Sequence, residues 1–155
     1  MDSLPAEKKS ASGNAIKPVG KTAAAGFQIG VRRTLALSAQ EAWDLLVSDE
    51  GMRYWIGEVN GFKITPGQTF ASSEGTTGEL RIVKPLEQLR MKWQRAGWKE
   101  PSTLQIRILP AAQGRTTISF HQEKLEDMQA RETMKRFWEA ALDGISEQVV
   151  RMGNL

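Results

Sequence analysis

The chain of 155 residues is 40% hydrophobic and 25% charged, with a formal net charge of +3. That is an ordinary globular balance, and the length suits one domain with a sizeable core. With no cysteine, a disulfide framework and a thiol nucleophile are both excluded, and no apolar run approaches the roughly 18 residues needed to cross a bilayer.

Residues 1–25 are rich in Lys, Ser, Ala, Gly and Pro and read as a flexible N-terminal leader. Lys8, Lys9, Lys17 and Lys21 against Asp2 and Glu7 place most of the net charge there. The basic balance is then no mark of a nucleic-acid surface, and neither a nucleic-acid nor a membrane partner is expected. The leader lacks the apolar core of a signal peptide, so a cytoplasmic location is expected. Residues 26–155 form the predicted domain.

The first predicted strand covers about 27–36, with Phe27, Ile29 and Val31 on one face. Ser38 and Glu41 make a capping box for a helix at about 39–47, and Trp43 is expected to anchor it to the sheet. Ser48 or Asp49 caps a second short helix carrying Met52, Tyr54 and Trp55, which Gly57 ends. Gly51 lets the chain bend between the two helices, so that Tyr54 and Trp55 reach the open end of the sheet.

Strands follow. FKIT ends at the turn dipeptide Pro66-Gly67, and QTFAS comes next. TGELRIV puts Leu80 and Ile82 on one face, with Glu79 and Arg81 turned to solvent. LRMKWQ turns Leu89, Met91 and Trp93 inward, and STLQIRIL does the same with Leu104, Ile106 and Ile108. After the turn PAAQG, RTTISFHQ aligns Ile118 and Phe120. These hairpins predict an antiparallel sheet with one wet face. Between about 127 and 152, Met134, Trp138, Ala141, Leu142, Ile145, Val149 and Met152 recur at spacings of three and four, with Phe137 widening the stripe. This is one long amphipathic helix, the only element long enough to cover the sheet. Gly144, inside it, would permit close approach to the sheet.

The quoted segments, in this order, resemble a known group: SAQEAWDLL, DEGMRYW, TTGELRIVKP with LRMKW, then TTISFHQEKL before MKRFW. They are similar to the SRPBCC superfamily, within the group named after the activator of the Hsp90 ATPase, over about residues 27–150. The resemblance implies an α+β helix-grip (Bet v 1-like) fold. In it a curved seven-stranded antiparallel sheet surrounds a long C-terminal helix, with two short helices after the first strand, often leaving an apolar cavity. On that pattern Trp55, Trp93, Phe120 and Trp138 fall at the aromatic positions facing the cavity.

The candidate lining is therefore Trp55, Phe70, Leu80, Ile82, Met91, Trp93, Ile106, Phe120, Met134 and Trp138, though the same residues would equally make a filled core. The expected function is non-catalytic binding of a hydrophobic small molecule, lipid-like or aromatic. The alternatives are a co-chaperone-like protein-interaction module and a cyclase- or hydrolase-type enzyme. No catalytic residue, cofactor or metal is assigned, and no protein partner is identified. His121, the only histidine, alternates away from the apolar face, and one histidine without cysteine makes a poor zinc site. Asp127 reads as a helix cap within the cluster Glu123, Glu126 and Asp127. GTTG (75–78) reads as a turn, lacking the lysine of a phosphate loop. Arg32 or Arg33 could meet an anionic ligand at the cavity mouth.

Overall fold

The computed structural model describes residues 21–22 and 26–153. Seven antiparallel strands make one sheet. They are β1 (Lys21–Thr22), β2 (Gly26–Leu35), β3 (Thr69–Ala71), β4 (Thr77–Lys84), β5 (Gln88–Gln94), β6 (Ser102–Pro110) and β7 (Thr116–Leu125). Their spatial order is β1-β2-β7-β6-β5-β4-β3. Helices α1 (Ala39–Val47) and α2 (Asp49–Trp55) follow β2, and α3 (Met128–Gly153) closes the chain. This is the helix-grip arrangement. Six strands of three or more residues carry the sheet, and two-residue β1 extends one edge.

The core follows from two periodicities. Alternation along the strands buries Leu89, Met91 and Trp93 on β5, Leu104, Ile106 and Ile108 on β6, and Ile118 and Phe120 on β7. Helical spacing buries Met134, Trp138, Ala141, Leu142, Ile145 and Val149 on the face of α3 that meets them. Asp127 caps α3 as expected, its Oδ1 accepting from Ala130 N at 2.8 Å.

Both arms of the Ser38–Glu41 capping box form, and Ser48 Oγ accepts from Gly51 N at 3.0 Å to start α2 with only Ser48 separating it from α1. A side chain at Gly51 could not exist there, because its Cβ would overlap the Leu45 carbonyl. Glycine is thus what lets α2 fold back directly on α1.

Several sequence expectations change. FKIT is not a strand. Phe62 and Ile64 are half-buried and Lys63 and Thr65 exposed, so the alternation reports burial, yet Thr65 N closes locally on Lys63 O at 3.0 Å. The first ladder contact with β4 comes only past Pro66, where Gly67 N donates to Leu80 O at 2.7 Å. The count of seven is met instead by Lys21–Thr22, which pairs with Phe27 and Gly26. The remainder of the 1–25 leader lies outside the described residues.

Ile82 is also misplaced. Leu80 pairs with Met91 but Ile82 with Arg90, so a bulge at Arg81 reverses the parity of β4. Ile82 lands on the outer face, 36% exposed, and Val83 turns in half-buried opposite Leu89. Met152 is 54% exposed past the end of the buried stripe. The first helix is anchored by Ala42, Leu45 and Leu46, with Trp43 packing half-buried beside them. Gly144 admits Tyr54 of α2 rather than the sheet: a Cβ there would lie 2.5 Å from Tyr54 Cε1. The Tyr54 hydroxyl sits 2.8 Å from Gln148 Oε1 and 3.2 Å from the Gly144 carbonyl.

Candidate binding site at the open end of the grip

Nine of the ten expected lining residues, all but Ile82, are buried together between sheet and helix. Phe120 stacks on Trp138 at 4.7 Å between ring centroids, and Trp93 lies 5.4 Å from Trp138. Trp55 meets Phe70 edge-on at 6.5 Å. Trp55 does not reach the open end as expected; it is fully buried.

The polar atoms of this interior are joined in a chain of hydrogen bonds. Trp138 Nε1 donates to Gln122 Oε1 at 2.8 Å, and Gln122 Nε2 donates to Ser102 Oγ at 2.9 Å. Ser102 Oγ donates to the Trp93 carbonyl at 2.6 Å. Trp93 Nε1 donates to the Trp55 carbonyl at 2.6 Å, and Trp55 Nε1 to the Leu46 carbonyl at 2.9 Å. Each buried indole N–H thus has a protein acceptor, as burial requires. Sequence reading missed Ser102 and Gln122. Gln122 continues the inward series Ile118, Phe120, and that parity was the available signal.

The aromatic array reaches the surface at one end. Trp98 meets Trp93 at 5.7 Å, and Phe137 meets Trp93 at 6.1 Å and Trp138 at 4.8 Å. Trp98 is placed by the turn leaving β5: its N–H donates to the Arg95 carbonyl at 3.1 Å, with Gly97 at φ 87°. Gln94 Nε2 braces the Trp98 carbonyl at 2.7 Å. Across from this turn runs the β7–α3 junction. Between them lies a concavity of about 300 Å³, lined by Trp98, Lys99, Glu100, Lys124, Glu126 and Ala130. Apolar wall and charged rim are the usual makings of a small-molecule site.

Other concavities are more open. One of about 450 Å³ lies between α2 and the end of α3, lined by Glu50, Arg53, Tyr54, Gln148, Arg151 and Met152. Another, of about 410 Å³, lies on the outer sheet face and includes Ile82, Arg90 and Lys92. Arg33 pairs with Asp143 of α3 at 2.8 Å, which already answers its charge. His121 stands half-buried on the outer face, its Nε2 3.2 Å from Gln28 Oε1. It sits on an interior strand of the sheet, not an edge.

The resolved electrostatic shifts lie elsewhere. The Glu58 N–H holds the Glu74 carboxyl below the usual carboxylate range, and the hydrogen bond from Arg53 to Glu58 raises the Arg53 guanidinium. Among the described residues the buried polar side chains are Ser72, Thr76, Ser102, Thr116 and Gln122, none of them ionisable near neutrality. No three His, Asp or Glu groups gather as metal ligands among the described residues, and no helix there is long and apolar enough to cross a membrane.

No curated protein sequence matches the chain. Solved structures share its fold at low identity. CalU16 from Micromonospora echinospora superposes with a TM-score of 0.69 at 20% identity, covering 79% of this chain and 75% of that one. MLL2253 from Mesorhizobium loti gives 0.70 at 20% identity, covering 83% and 99%. An HSP90 activator from Plasmodium falciparum, PFC0360w, gives 0.60 at 14% identity, covering 72% and 86%. The profile of the family described as Activator of Hsp90 ATPase homolog 1-like protein matches residues 36–149, the span from the end of β2 through most of α3, and the chain belongs to that family.

Proposed function

We propose that the protein binds an apolar, flat small molecule without transforming it, and that the molecule enters at the Trp98 mouth. The observation that carries this reading is the continuity of the aromatic array. It runs from half-buried Trp98 at the concavity through Trp93 to Trp138 and Phe120 inside. A ligand lying on Trp98 extends that array, and edge or offset contact between rings adds about 0.5–1.5 kcal/mol per pair beyond area burial. The absence of an ionisable side chain among the described buried polar groups supports binding over acid–base catalysis.

The test uses N-phenyl-1-naphthylamine, an uncharged fluorescent probe. Saturable binding with amide shifts at residues 95–101 and 124–134 is expected, and Trp98→Ala should weaken it about tenfold. Non-saturable binding, or binding indifferent to Trp98→Ala, sinks the proposal. Native mass spectrometry of protein taken from its host would then read the mass of the retained molecule.

A protein-interaction role is the second reading. It is favoured by Met152, which lines the open groove at the end of α3 and is 54% exposed, and by Val150, 64% exposed on the same last turn of the helix. Chemical shifts of that segment on titration with Hsp90 would support it, and their constancy would reject it.

A further inference from the structure

Arg95 is inward-facing by the same alternation that buries Leu89, Met91 and Trp93, and it is the first residue past the end of β5. It is half-buried. Its guanidinium carbon stands 5.2 Å over the Phe137 ring, and its Nη1 is 3.8 Å from Met134 Sδ. A guanidinium has five N–H donors in a fixed fork. Here one of them meets a thioether, a weak acceptor, and the ring offers only its π face. Among the described residues no carboxylate pairs with it, whereas Arg33, Arg53 and Arg131 each hold one.

The location is specific. Arg95 and Trp98 are the first and last residues of one β-turn, which keeps them within about 7 Å. On α3, Ala130 lines the concavity, and Met134 and Phe137 follow it at spacings of four and three on the same helix face. One helical turn is about 5.4 Å. The guanidinium therefore lies one to two turns along α3 from Ala130, next to the concavity rather than among the residues that line it. The rim offers no bias of charge, because Lys99 and Lys124 are matched by Glu100 and Glu126.

We infer that Arg95 is the anion-recognition group of this mouth, and that the ligand is a carboxylate-bearing aromatic or alkyl molecule. Its carboxylate is held by the Arg95 fork and its apolar body lies on Trp98. This inference rests on the binding reading above and narrows it. A partly desolvated guanidinium gains most from a planar, bidentate anion, and a π face 5.2 Å away consumes none of its N–H donors. Arg95 Nη1 exchanges its thioether contact for an oxygen, so the approach costs little of the existing packing.

The experiment compares naphthalene-2-carboxylate with naphthalene-2-carboxamide, which share shape and differ in charge, by calorimetry and by amide shifts on the whole chain. The wild type is expected to prefer the carboxylate by about tenfold, the worth of a hydrogen bond to a charged group. Arg95→Gln should erase that preference, weakening the carboxylate about tenfold and the carboxamide by a smaller factor. Arg95→Lys should keep only part of it, since lysine supplies charge without the fork. Thermal unfolding of both variants checks that the fold survives. Equal wild-type affinity for the two probes overturns the anion site while leaving the mouth as a binding site. Binding of neither probe overturns the mouth itself, and the anion site with it. A preference that persists in Arg95→Gln assigns recognition to the rim lysines and also overturns the inference.

Discussion

Replacing Gln122 by Leu tests whether the buried hydrogen-bond chain holds the grip closed. Gln122 is fully buried and joins three elements: its own strand β7, Ser102 of β6 and Trp138 of α3. Leucine is close to glutamine in size, so the loss falls mainly on the polar partners. Ser102 keeps its own donation to the Trp93 carbonyl. Trp138 Nε1–H loses its acceptor in a fully buried position, and an orphaned donor there costs about 1–3 kcal/mol. Losing the amide's own bonds adds about 1 kcal/mol, which puts the expected destabilisation at about 2–4 kcal/mol. Trp138→Phe alone orphans the Gln122 carbonyl and trims the ring that stacks on Phe120, at a cost of about 1–3 kcal/mol. In the double variant no orphan remains. The two changes should then fall short of their sum by about 1–2 kcal/mol in urea unfolding followed by circular dichroism. Additivity within about 0.5 kcal/mol would show that the bond contributes nothing beyond its parts, and the reasoning would fail.

Three further outcomes are expected. Ile82→Thr should change stability by no more than about 0.5 kcal/mol, as at a surface site, whereas Val83→Asp should cost more than about 2 kcal/mol; the reverse order in urea melts would refute the bulge at Arg81. Gly144→Ala should destabilise by about 1–3 kcal/mol through its collision with Tyr54, although alanine is the better helix former by about 1 kcal/mol. A rise in Tm for that variant would mean that Tyr54 does not pack there. Glu74 gives a pH dependence whose sign is fixed by its lowered native pKa, caused first by the Glu58 N–H. It contributes stability above the unfolded-state carboxylate range and loses it as pH falls through the native value. The Tm of Glu74→Gln should therefore lie below that of the wild type at neutral pH, and the gap should close on acidification.

Where one physical rule governs an element, the sequence was enough to read it. Ser38–Glu41 and Asp127 mark helix starts because their side-chain oxygens are placed to accept from the otherwise unpaired first N–H groups. The α3 stripe was legible because 26 residues sample the helical period many times. The errors fall where two rules compete. Phe62 and Ile64 alternate and are half-buried, but Pro66 and the local closure at Thr65 keep them from a ladder. Ile82 satisfies alternation from Leu80, and one inserted residue reverses it. Nothing in the composition of β4 announces a bulge, because its cause is the pairing with β5.

The candidate site shows the same division more sharply. Nine of the ten residues expected to line a cavity are buried inside the grip, yet periodicity cannot distinguish a side chain that lines a void from one that fills it. What gives an opening a function is a departure from the pattern that builds the core. Arg95 is such a departure: it occupies the next inward position after three buried apolar ones, where a methionine or leucine would pack against Met134 and Phe137. A guanidinium there forgoes part of its hydration for a thioether and a ring, which is a poor exchange for stability alone. Arg95→Met separates the two explanations. If the guanidinium is present for packing, its removal lowers the unfolding midpoint. If it is present for an anion, the variant melts at or above the wild-type temperature and loses the preference for naphthalene-2-carboxylate. The second result is expected, because a linear thioether fills the same volume with no donors left unanswered.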